Sequence, residues 1–385
     1  HEKAQSMPRA IDDVQVTVSA LANRPTTGTR LLNIDHLSKA FTQEGRTVRV
    51  VNDVSLSVGV GETLGLVGES GAGKTTIAKL ILGLTGSDSG SNVVLDGKTL
   101  AATLSKRDVS DVGAMQIVFQ NPDQALNRRH SVTRIVSRAV QKLRGLNSNE
   151  SDDRAHELLS GMRVEASLHS ARPSQLSGGL KQRVAISRAF AGSPQLVVCD
   201  EPTSALDVSV QATILNLLVD LQKQDGTSFI FISHDLGVVR YISDKIAVMY
   251  LGEVVEYGPA DEVFRNPAHP YTQALLSAVP VPDPRAQANR EQIRLSGVLP
   301  SPINPPSGCV FHTRCFRAED RCTTEVPELR ELLPGHTVAC HFPMFDLELG
   351  TVIRGPEPEV VELQAPEVRS ALLARLARYH RAPEP

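Results

Sequence analysis

Lys74 and Thr75 close a run of small residues, Gly68-Glu69-Ser70-Gly71-Ala72-Gly73, which joins a short apolar stretch at 63–67 to a segment fit for a helix at 74–84. This order of residue types suits phosphate chemistry. Glycines let backbone N–H groups close around an anion, and a helix start adds a favourable dipole. The Lys74 ammonium supplies a point charge, and the Thr75 hydroxyl can ligate Mg²⁺, with Thr76 beside it. A plain glycine turn has no need of a Lys-Thr pair at this offset.

A second element that carries chemistry is Leu196-Val197-Val198-Cys199-Asp200-Glu201, an apolar strand ending in two acids. Neighbouring side chains on a strand point to opposite faces, which gives the two carboxylates different tasks. Asp200 is the one to hold Mg²⁺, directly or through water, and Glu201 the one to polarise an attacking water. Cys199 reads as a small buried packing residue.

These pieces need a scaffold that delivers strand ends to one place. Apolar runs at 63–67, 196–198 and 229–232 alternate with helical stretches, the pattern of an α/β fold with a parallel sheet covered on both faces. Residues 121–190 hold helical segments at 132–143 and 152–162 and read as a helical insert. Of 385 residues, 41% are hydrophobic and 22% charged, and no apolar run is long enough to span a bilayer, so contact with a membrane has to come through a partner. A net charge of −3 carries no basic footprint for nucleic acid. Residues 1–29 read as a linker or as the junction of a longer polypeptide. Four of the five cysteines crowd into 309–340 in a chain with a large apparent core, which favours a reduced, cytoplasmic compartment over a secreted disulfide framework.

Between the two elements stands Leu176-Ser177-Gly178-Gly179-Leu180-Lys181-Gln182-Arg183, and here residues 30–260 resemble the ATP-binding-cassette (ABC) ATPases. The resemblance implies a P-loop NTPase core with a helical signature subdomain and an antiparallel β edge. It makes Ser177, Gly178 and Gly179 a signature motif that grips the γ-phosphate held by a second ABC ATPase domain. Leu180 departs from the common family form, which has Gln there. The resemblance further implies that Phe41 stacks on adenine, that Gln120 touches Mg²⁺ and water, and that Asp207, in Ser204-Ala205-Leu206-Asp207, belongs to a loop contacting the dimer partner. His234 takes the place of the switch histidine near the γ-phosphate. Lys74, Gln120, Glu201 and His234 would then be the catalytic set, with Thr75, Gln120 and Asp200 on Mg²⁺.

The tail narrows the assignment. Asn266-Pro267-Ala268-His269-Pro270-Tyr271-Thr272-Gln273-Ala274-Leu275-Leu276, followed by prolines and cysteines, resembles the C-terminal extension of oligopeptide and dipeptide importer ATPases. That implies two transmembrane permease subunits, a substrate-binding protein, and a place on the cytoplasmic face of the membrane. A small solute such as nickel, a non-transport ABC ATPase and a non-catalytic ATP-binding module are the alternatives. The expected division is 30–265 for the nucleotide-binding domain, 266–345 for a loop-rich cysteine module, and 346–385 for an extension. In that extension Val368, Leu372, Leu373, Leu376 and Tyr379 form an apolar helical stripe. Cys309, Cys315, Cys322 and Cys340 show no short C-x₂₋₄-C pair of the kind structural zinc sites use, which points to a [4Fe–4S] cluster, with Zn²⁺ as the main competitor and disulfides or free thiols as the remaining alternative.

A site completed by a second domain has a measurable consequence. A dilute, demonstrably monomeric sample is expected to release phosphate from ATP far more slowly than the assembled complex. Equal turnover would show that no second domain is needed.

Overall fold

Continuous apolar runs become strands buried on both faces, as a parallel sheet between two layers requires. The computed structural model describes residues 30–43, 45–279, 292–346 and 351–352. Two long strands come first, β1 (Arg30–Gln43) and β2 (Arg46–Gly59), paired antiparallel. After β3 (Thr63–Val67), the short strands β4 (Asn92–Leu95) and β5 (Lys98–Thr99) join them in a four-stranded sheet ordered β2-β1-β4-β5.

The larger sheet receives β3 with β6 (Met115–Val118), β7 (Leu196–Asp200), β8 (Ser228–Ile232), β9 (Lys245–Tyr250) and β10 (Glu253–Pro259). Two strands from the tail, β11 (Arg330–Leu333) and β12 (His336–Val338), extend it to eight. The order is β11-β12-β10-β9-β3-β8-β7-β6, with β9 through β6 parallel and the other end antiparallel. A separate two-stranded pair, β13 (Phe345–Asp346) with β14 (Thr351–Val352), follows.

Ten helices are described: α1 (Lys74–Ile81), α2 (Val109–Ala114), α3 (Val132–Arg144), α4 (Ser148–Gly161), α5 (Gly178–Ala189), α6 (Val208–Asp225), α7 (Leu236–Ile242), α8 (Ala260–Arg265), α9 (Pro270–Ser277) and α10 (Asp320–Thr324). Among the described residues no helix is long and apolar enough to cross a membrane. One face of the large sheet packs against the four-stranded sheet and α1, through residues such as Leu32, Leu64, Leu66 and Ile77. The opposite face packs against the helices, through Val67, Val136, Val184, Ile214 and Phe229.

The expected helical insert is present as α3, α4 and α5, and its ends follow local chemistry. Ser131 accepts from the Arg134 N–H at the start of α3, and Gly145 ends it in the left-handed region. A capping box of Asn147 and Glu150 starts α4 at Ser148, four residues before the expected position. Helix α1 stops at Ile81 instead of running to 84, because Gly83 turns the chain at φ 70°. The linker at 1–29 and the apolar stripe at 368–379 lie outside the described residues.

The tail, expected as a loop-rich module, also contributes strands to the main sheet. Its β12 pairs with β10 through Glu256↔Val338 and Tyr257↔Thr337, so the tail continues the main sheet. A buried carboxylate fastens the junction. Glu256, fully buried, accepts from the N–H groups of Ala268 and His269 at 2.8 and 2.9 Å and meets His336 Nε2 at 2.7 Å.

Breaking a buried pair from one side leaves a charge without its partner, whereas an exposed pair contributes little. His336→Ala should therefore destabilise the chain by about 3 kcal/mol. Arg321→Ala, which breaks the exposed Arg321–Glu325 pair, should change stability by less than about 1 kcal/mol. Denaturant unfolding followed by circular dichroism measures both.

Candidate functional site

The phosphate-loop segment leaves the end of β3 and enters α1 through backbone that only glycine takes easily. Gly68 has φ 151°, and a Cβ there would lie 2.3 Å from the Met249 carbonyl oxygen. Gly73 has φ 101°, with Val50 O only 2.7 Å from where a Cβ would stand. At these two positions the loop passes β9 and β2 with no room for a side chain. Ser70, Gly71 and Thr75 are exposed at its mouth, and Thr76 is half-buried behind them.

Lys74 is buried, and its Nζ donates to the carbonyls of Gly68 and Glu69 at 2.7 and 3.0 Å. Burial lowers its pKa, and the charges of Glu201, Asp200 and Glu69 oppose that shift. One cation therefore sits within electrostatic reach of three carboxylates.

Strand β7, parallel to β3 and separated from it by β8, delivers the acids to the same edge. Thr75 Oγ1 donates to Asp200 Oδ1 at 3.1 Å. Burial raises the Asp200 pKa, with the Glu201 charge adding to the rise and the Thr75 hydrogen bond working against it. Glu201 is reached from two sides. His234 Nδ1 lies 3.1 Å from its Oε1, and Gln120 Nε2 donates to its Oε2 at 3.1 Å. The same Gln120 amide stands 3.3 Å from the Ser204 hydroxyl.

The two acids diverge for a reason other than the expected strand alternation. Strand β7 ends at Asp200, and Glu201 adopts the left-handed region with φ 48° while its N–H donates to the Ile232 carbonyl at 3.0 Å. A non-glycine residue held there stores strain, a feature concentrated at functional sites. The turn sends Asp200 to Thr75 and Glu201 to His234 and Gln120.

Lys74, Thr75, Gln120, Asp200, Glu201 and His234 are thus brought together, and other expected site residues lie apart. Phe41, on β1, keeps an exposed ring with Lys39 Nζ 5.4 Å from its centroid. Ser177 caps α5 by accepting from the Leu180 N–H, and Gly179 leaves space that the Val210 side chain fills. Asp207 caps α6, accepting from the Val210 N–H at 3.0 Å and the Ser209 hydroxyl at 2.7 Å. Among the described residues no hydrogen bond runs from Ser177 or Asp207 to the phosphate loop.

Two contacts to that loop were missed in the sequence. The Tyr271 hydroxyl accepts from the Glu69 N–H at 2.8 Å, and Arg314 reaches the Glu69 carboxylate with both terminal nitrogens. The His269-Pro270-Tyr271 segment offered a local signal for the first. Burial drives the His269 pKa down to about 3, which leaves its Nδ1 free to accept from the Tyr271 N–H and start α9. Arg314 offered none.

The expected cysteine-bearing metal module is not supported. The Cys309 N–H donates to the Cys322 carbonyl at 2.8 Å, and the four tail thiols lie within one another's electrostatic reach. Yet among the described residues no three His, Cys, Asp or Glu side chains form a group that could hold a metal ion. Burial pushes the Cys315 thiol up to about 11 and Cys340 up to about 12, and it raises Cys309 as well.

Comparison with known proteins gives the family. Residues 51–204 match the ABC transporter family, and residues 255–322 match the oligopeptide/dipeptide transporter C-terminal region. The chain is 46% identical over 318 residues to a probable peptide ABC transporter ATP-binding protein, y4tS, of Sinorhizobium fredii, covering 81% of this chain and 89% of that one. It is 44% identical to the putative oligopeptide transport ATP-binding protein YkfD of Bacillus subtilis, covering 81% and 95%. Identity with the oligopeptide transport ATP-binding protein OppF of Haemophilus influenzae is 42%, covering 80% and 96%. Among solved structures, the ATP-binding cassette MJ0796, a dimer in a post-hydrolysis state bound to ADP and Pi, superposes with a TM-score of 0.53 at 27% identity. That match covers 60% of this chain and 99% of that one.

Proposed function

We propose that this chain, which belongs to the peptide-transport branch of the ABC transporter ATP-binding proteins, hydrolyses ATP to power peptide import through separate transmembrane subunits. The observation that carries the reading is the meeting of Thr75 with Asp200, and of Gln120 and His234 with Glu201, beside a glycine loop around Lys74. The peptide assignment draws on the named relatives and on the matched C-terminal region.

The phosphates fit at the mouth of the 68–75 loop, against its N–H groups and the Lys74 ammonium. Thr75, Asp200 and Gln120 are the residues to hold Mg²⁺, which supplies charge neutralisation of the phosphates when bound. Glu201 accepts the proton of the attacking water, and His234 and Gln120 hold its two oxygens in place. Phe41 offers its exposed ring to the adenine. Ser177, Gly178 and Gly179 present the start of α5 to nucleotide bound by a second ATPase domain, with the Asp207 loop alongside. The dimer reported for MJ0796 supports such a pairing. A peripheral place at the cytoplasmic face, two permease subunits and a substrate-binding protein complete the assembly, and no step calls for nucleic acid.

A finer reading, a [4Fe–4S] cluster that Cys309, Cys315, Cys322 and Cys340 would hold, rests on their spacing along the chain and on their lying within one another's electrostatic reach. Metal binding to thiols releases protons, so a raised thiol pKa opposes assembly without forbidding it. Nothing in ATP hydrolysis needs an electron, so the cluster would serve structure or sensing. Anaerobically purified protein should be brown, with about four irons per chain by elemental analysis. Colourless protein holding one zinc would overturn this reading.

Separation of roles tests the hydrolysis itself. Lys74→Ala should weaken ATP binding, because its charge acts on the ground-state phosphates. Glu201→Gln should keep ATP binding and lower kcat by about two orders of magnitude or more, trapping a closed ATP-bound dimer. Equilibrium ATP binding, phosphate release and gel filtration read these outcomes, and similar affinity losses in both variants would refute the division.

A further inference from the structure

Glu69 is the one acidic residue of the 68–75 loop, and it is badly suited to a loop that binds phosphates. Its charge reaches Lys74, so an uncovered carboxylate there would repel an anion held by that ammonium. In this fold the carboxylate is covered from the C-terminal region. Arg314 donates to Glu69 Oε2 at 2.7 Å and to Oε1 at 3.1 Å, a bidentate fork.

The pair is built in, unlike the exposed ion pairs elsewhere on the chain. The Arg314 side chain is only 9% exposed, and its guanidinium lies 5.9 Å from the Tyr250 ring centroid with a 3.4 Å contact to that hydroxyl. The Glu69 hydrogen bond raises the Arg314 pKa further, so the cation does not titrate. Phe311, on the turn that carries Arg314, is fully buried against Tyr250 and Tyr271 at ring-centroid separations of 5.1 and 5.3 Å. Tyr271 in turn takes the Glu69 N–H, so backbone and side chain of this residue are fixed from the same side.

We propose that Arg314 is a positioning residue for nucleotide binding, clamping Glu69 and neutralising its charge so that one carboxylate fewer opposes the phosphates at Lys74. The C-terminal region is thereby part of the nucleotide site of its own chain. This rests on the reading that the 68–75 loop binds ATP.

The full chain with its partner subunits provides the test, with MgATP as the probe in equilibrium dialysis and in steady-state turnover. Arg314→Ala should weaken MgATP binding about tenfold and raise KM in parallel, leaving kcat at saturation within about twofold, since one unscreened charge acts over several ångströms. Adding Glu69→Gln to Arg314→Ala should restore most of the affinity, because the uncovered charge is then gone. A purely structural Arg314 would not be rescued in that way. Arg314→Lys, which keeps one charge without the fork, should fall between, and it carries the comparison if Arg314→Ala does not fold. Wild-type affinity in the Arg314 variants, or a double variant no better than Arg314→Ala, would overturn the clamp alone. A wild-type chain that binds no MgATP would overturn the nucleotide reading on which the clamp rests.

Discussion

A buried ammonium sets the conditions for everything around it. Lys74 lies out of water, and an unpaired charge in that position is prohibitively costly. Two carbonyls of its own loop and three carboxylates meet the demand. They can do so only if β3 and β7 end at one edge of one sheet. The order β3-β8-β7, parallel throughout, achieves this: the residues that follow β3 and β7 emerge at the same edge on either side of β8, and the turn after β8 supplies His234. The proposed ATP phosphates would join a charge arrangement that is already in place.

Within that arrangement two adjacent acids serve different neighbours. A regular strand would have separated Asp200 and Glu201 by pointing them to opposite faces. The chain instead bends at Glu201, accepts a left-handed backbone, and secures the bend through the Ile232 carbonyl. The result holds one carboxylate at the Thr75 hydroxyl and the other between His234 and Gln120. The proposed division between Mg²⁺ holding and water activation follows from that bend.

The tail belongs to the core that it was expected to decorate. Its strand β12 continues the large sheet, Glu256 draws His336 and two backbone N–H groups together without exposure, and Cys309, Phe311 and Cys322 join the same apolar cluster as the helices. Because Tyr271 and Arg314 both end on Glu69, a change in the packing of the cysteine-bearing segment has a short physical route to the phosphate loop.

Features governed by near neighbours were readable from the sequence alone. The glycine loop with its Lys-Thr pair, the apolar runs of β3, β7 and β8, and the helical insert each rest on requirements met within a few residues: positive φ, periodicity and capping. Residues 74, 75, 200 and 201 could be named for the same reason, whereas 120 and 234 were named through the resemblance to the ABC ATPases. The four-cysteine expectation used spacing along the chain, and spacing does not bring side chains into a metal-holding group, which only the fold can do. Nor could local pattern reveal that Arg314 covers Glu69 from 245 residues away, or that His336 meets Glu256 across 80. Those pairs exist because the tail's hairpin adds to the antiparallel end of the sheet and Phe311 packs against Tyr250 and Tyr271, so only the assembled tertiary structure brings the charges within hydrogen-bonding distance.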